Sequence, residues 1–206
     1  MSRRSYSGFN EETNQNLLLD AGAIFVNFDI EEDTYDSAVE SGKLLGATSG
    51  GNTFAAVPEF RDVAVDGVKG KAKGLSILTS WEVTMTTNML EFKEETYRRA
   101  LAAAQVEDKT IGDGDYSSIR AKNHVSDEDY IDNITFIGQL SGSSKPVYIQ
   151  VYNALNLGGL TVNNADDTDI VAELVFTGHY DANDLDNPPF TIFYPKKNEI
   201  EDETVE

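Results

Sequence analysis

The stretch LSILTSWEVTMTTNMLEF, from Leu75 to Phe92, sets the architecture of this chain. Ile77, Thr79, Trp81, Val83 and Met85 fall on one face of an extended backbone, and Leu78, Ser80, Glu82, Thr84 and Thr86 fall on the other. The first face is apolar and the second mostly polar, the pattern of a strand with a core beneath it and water above it.

Working outward, the flanking segments are β-rich as well. Ala21 to Asp29 (AGAIFVNFD) is strand-like, with Ile24, Phe25, Val26 and Phe28 supplying β-branched and aromatic residues. Phe60 to Val65 forms a strand that ends at the tight-turn pair Asp66-Gly67. Val68 to Gly74 follows, with Lys69, Lys71 and Lys73 alternating on one face, where they either are solvated or meet acidic surface on a neighbouring copy. Further strands are expected at Ile134–Leu140, Val147–Leu155, Asp169–His179 and Phe190–Tyr194, with Pro188 and Pro189 confining the last to an edge or a late start. Residues 106–132 are acidic and irregular, a surface excursion.

One helix is expected, Glu94 to Gln105, where Tyr97, Ala100, Leu101 and Ala104 make one narrow apolar face for packing on a sheet. Glu94 and Glu95 suit the positive end of its dipole. The fold class is therefore mainly β, an antiparallel sandwich or barrel with one flanking helix at about 94–105. The expected organisation is a polar arm at 1–16, a single domain at 17–195 and a charged tail at 196–206. Within the domain, residues 31–58 lack a period and hold the Gly-rich run from Gly46 to Gly51, which reads as a long loop. Loops of that length are usually functional.

Composition narrows the function. The chain has 206 residues and no Cys, so it has neither a disulfide scaffold, a thiolate nucleophile nor a Cys metal site. Its 16 Lys and Arg face 36 Asp and Glu, a formal net charge of −20, which opposes binding nucleic acid by phosphate neutralisation. No segment is long and apolar enough to span a membrane, and no secretion signal is read at the start, so synthesis in a cytoplasm is expected.

Candidate chemistry is sparse. Asp113-Gly114-Asp115 and Asn164–Asp169 suggest calcium loops, but the second has Asp169 where the template wants Gly and Val175 where it wants Glu. His124 and His179, the only imidazoles, have no metal-ligand spacing, and no nucleophile elbow or phosphate loop is present. No catalytic residue, cofactor or metal is assigned.

The order of features, LLLDAGAIFVNFD, then LLGATSGGNTF, then RDVAVDGVKGKAKGL, then LEFKEET, closing with PPFTIFYP, resembles the major tail tube proteins of long-tailed bacteriophages over about residues 17–195. The resemblance implies a β-sandwich subunit stacked as homohexameric rings around a bore through which DNA passes at genome ejection. It also implies tape measure, tail terminator and distal tail proteins as partners, and a place in the virion tail. Under it, the polar face of Glu82, Thr84 and Thr86, with Gln150 and Glu173, is expected to line the bore. The 31–58 loop, through Leu44, Leu45, Gly46, Gly50, Gly51 and Phe54, is expected to join adjacent rings. Two other readings stay open: a tube of a contractile or secretion apparatus, and a monomeric acidic β-sandwich that binds a carbohydrate or protein.

Overall fold

A computed structural model describes residues 7–10 and 12–196. Residues 1–6 and 11 of the expected arm at 1–16, and all of the expected tail at 196–206 but its first residue, lie outside the described residues.

Among the described residues nine strands form one curled antiparallel half-barrel and one separate ribbon. They are β1 (Leu18–Val26), β2 (Thr48–Asp62), β3 (Ser76–Met89), β4 (Ala104–Ile111), β5 (Gly114–Ala121), β6 (Ile131–Leu140), β7 (Val147–Asn156), β8 (Ala172–Thr177) and β9 (Phe190–Phe193). Two short helices join them, α1 (Tyr35–Glu40) and α2 (Glu94–Ala100). The main sheet runs β1-β6-β7-β8-β3-β2, with β9 also on β7, while β4 and β5 pair only with each other.

β7 is the corner of the curl. On one side it pairs with β6 as far as Ala154; on the other its first half pairs with β9 and its end, Leu155 and Asn156, with β8. Between these halves Asn153 adopts a positive φ of 47°, and its side chain donates to the His179 carbonyl. That left-handed residue turns the strand from one layer into the next. The main core fills the space so enclosed: Ile24, Val26, Val83, Met85, Met89, Ile134, Val151, Leu174 and Phe176 are all buried there.

A second, smaller core lies on the opposite face of β1 and β6. Phe25, Phe28 and Ile137 pack there beneath Ala38 of α1. The end of β1, Ile24 to Val26, is thus buried on both faces, and its apolar run is continuous rather than alternating for that reason. α1 is started by a capping box, in which the Thr34 hydroxyl accepts from the Ser37 N–H at 3.2 Å and the Ser37 hydroxyl accepts from the Thr34 N–H at 2.8 Å.

Four expectations need correction. Residues 31–58 are not a long loop: α1 and most of β2 occupy them, and Gly50 and Gly51, at φ of 92° and 85°, sit where the register with β3 shifts between Thr48 and Asn52. The helix at 94–105 stops at Ala100, because Ala102 turns to a φ of 60° and β4 begins at Ala104. The irregular excursion at 106–132 contains the β4–β5 ribbon, whose strands meet around Gly112. Nor does Val68 to Gly74 form a strand; it belongs to the turn between β2 and β3.

Candidate functional site

Two surfaces of the curled sheet stand out. The first is the polar face of β3 and β8. The alternation read in Leu75–Phe92 holds from Trp81 onward: Val83, Met85, Thr87 and Met89 are buried, while Glu82 is exposed and Thr84 and Thr86 are half-buried on the side away from the core. The neighbouring strand continues this face, since Thr84 pairs with Thr177, Thr86 with Val175 and Asn88 with Glu173. Glu82, Thr84, Thr86 and Glu173 therefore share one outward surface.

Gln150 does not belong to it, which corrects its assignment as a bore-facing residue. It is buried at the second core, where its amide donates to the Phe28 carbonyl and to the Thr135 hydroxyl, both at 2.9 Å. Alternation along β7 misplaces it because that strand is covered on both sides.

The second surface is the β2–β3 hairpin. β8 pairs with β3 only between Thr84 and Met89, so the outer part of β3 has β2 as its strand partner and nothing else among the described residues. From Ser80 to Ser76 the hairpin runs on for roughly 17 Å of strand, followed by a turn at residues 63–75. The ladder shifts register between Glu59 and Phe60, where Thr79 is the extra residue and its hydroxyl donates to the Glu59 carbonyl at 3.0 Å. Beyond this bulge both faces are open, with Phe60 57% and Leu78 46% exposed and Ile77 also exposed.

Polar contacts hold the base of the turn. The Ser76 hydroxyl donates to the Asp62 carboxylate at 2.5 Å, and Lys71 pairs with the other oxygen at 2.9 Å. These two donors, Ser76 first, lower the Asp62 carboxyl below the ordinary carboxylate range. Lys69, Lys71 and Lys73 are all exposed at this tip.

The residues expected to join rings are not gathered into a connector. Leu45 is buried in the main core, Leu44 packs on the second core and bridges Phe25, and Phe54 packs with its ring centroid 5.6 Å from that of Phe190. Gly46 abuts Met89 and Glu91, while Gly50 and Gly51 lie within β2. Apolar side chains used inside the subunit cannot also cover a neighbour, so the assignment of Leu44, Leu45 and Phe54 is corrected. The long alternating segment from Phe54 to Ile77, flanking a Gly- and Lys-rich turn, is the signal that would have located the hairpin.

The helix-packing set is also redrawn. Ala100 is buried as expected, but its companion on α2 is Thr96, not Leu101. Leu101 is the half-buried C-cap, Ala104 belongs to β4, and Tyr97 packs on Phe92 with centroids 5.7 Å apart. Arg98 and Arg99 both pair with Glu95 on the same helix.

The candidate ligand positions are dispersed. Asp115 accepts from the Thr110 hydroxyl beside the β4–β5 turn, and residues 164–169 form an exposed loop. His179 lies 3.0 Å through Nδ1 from the Asn153 carbonyl, with Tyr130 edge-on to its ring, and His124 is exposed in the loop before β6. Among the described residues no three His, Asp or Glu side chains stand together in a metal-binding group, and no helix is long and apolar enough to cross a membrane.

No family model matches the chain, and no curated protein matches it. Among solved structures, the chain is similar to one described as the virion of a native gene transfer agent (GTA) particle, with a TM-score of 0.39 and 8% identity, covering 83% of this chain and 95% of that one.

Proposed function

We propose that this chain is a structural protein of a virion, the major tail tube subunit, which polymerises with itself as stacked hexameric rings and performs no catalysis. The observation that carries the reading is the β2–β3 hairpin, which leaves the body of the subunit and exposes Phe60, Ile77 and Leu78. A two-stranded hairpin is marginally stable by itself, and clustered apolar exposure marks a contact surface. The outer edge of β2 offers further unpaired backbone, which a soluble monomer would normally blunt. Closing such edges between copies removes them, and head-to-tail contacts that close make rings.

In this reading the surface of Glu82, Thr84, Thr86 and Glu173 faces the bore. Carboxylates and hydroxyls there repel DNA phosphates and give them nothing to hold, an effect that reaches about 8 Å at physiological salt. DNA passes without specific binding, no cofactor takes part, and the tape measure, tail terminator and distal tail proteins are the expected neighbours. The resemblance in the order of sequence features supports the same assignment.

Negative-stain microscopy with analytical ultracentrifugation of the purified chain tests it. Rings or tubes of uniform width are expected. A monomer that stays single at high concentration, with smooth grids, refutes the reading.

A further inference from the structure

We draw no further inference here: the strongest candidate, the cleft of about 500 Å³ beside the β7 corner that Asp132, His179, Asp181 and Asp184 line, is a group of exposed acidic side chains around one imidazole, and nothing in the structure shows which ligand it would take.

Discussion

Asn156 is a sensitive point for the fold, because its buried side chain ties three elements together. Its amide donates to the Ala100 carbonyl at 2.7 Å and the Gly159 carbonyl at 3.2 Å, and its oxygen accepts from the N–H groups of Gly158 at 3.0 Å and Val175 at 3.1 Å. The residue is 2% exposed. Asn156→Ala removes all four bonds. Water reaches Gly158, which is exposed, but the partners on Ala100 and Val175 lose theirs in the interior. At about 1–3 kcal/mol for each of the two buried groups left unpaired, the loss is about 2–6 kcal/mol, or roughly 4–24 °C in Tm for a domain of this size. Asn156→Asp separates the two halves of the site. It keeps the acceptor but sets a carboxylate against the Ala100 carbonyl, so burial and that repulsion raise its folded pKa above the unfolded value near 4. The penalty is then full at pH 7 and shrinks as pH falls, when the protonated acid donates in place of the amide. Urea unfolding at both pH values measures this. A loss under about 1 kcal/mol in Asn156→Ala, or an Asn156→Asp deficit that grows on acidification, would refute the account.

Further outcomes follow from other sites. Gly22 has a φ of 66° and a Cβ there would stand 2.7 Å from the Ile137 carbonyl oxygen and against the Phe136 ring, so Gly22→Ala should cost about 2–4 kcal/mol in chemical denaturation. Burial pushes the Asp129 carboxyl up, but hydrogen bonds from Lys122 and Ser126 outweigh it and hold the group at about 2. That stabilisation is present above the unfolded pKa near 3.9 and is lost as pH falls toward 2, so the melting difference between wild type and Asp129→Asn should narrow across that window. In the proposed tube, Glu82→Lys should leave assembly intact and slow DNA release from virions carrying it, because like-charge repulsion becomes attraction; unchanged release kinetics would refute the proposal that this face lines a bore.

The strands easiest to find in the sequence were those with one wet face. Val83, Met85 and Met89 alternate with Glu82, Thr84 and Thr86 because β8 and β2 hold β3 with one side on the core. β2 was harder to see. Its inward residues Phe54 and Ala56 are separated by polar or small residues, and Gly50, Gly51 and Pro58 resemble strand breakers. The glycines make a bulge, and Pro58 is tolerated because β2 is an edge strand whose missing N–H costs no ladder bond. α1 has only six residues and one buried side chain, Ala38, too little for a periodic signal. The end of α2 was hidden for another reason. The run RRALAAAQ favours helix locally, but Asn156 takes the Ala100 carbonyl and the chain turns at Ala102 into β4, so tertiary contacts override propensity.

The same physics explains which part of the candidate surface was legible. A face exposed to water leaves its mark in composition, and Glu82, Thr84, Thr86 and Glu173 were read from it. An apolar residue in a polar stretch leaves only half a mark, since it serves either its own core or a neighbour. Leu44, Leu45 and Phe54 had been given to a neighbour and belong to the interior. Phe60 and Leu78 are equally apolar and equally surrounded by polar residues, but they lie beyond the Thr79 bulge, past the last strand that could cover them. Nothing in the local sequence separates the two groups. What separates them is how far the facing layer reaches: Phe190 of β9 packs on Phe54 and Trp81, whereas Phe60 and Leu78, farther out along the hairpin, are exposed. The division between core and open surface is therefore set by the reach of that layer, not by the hairpin's own residues.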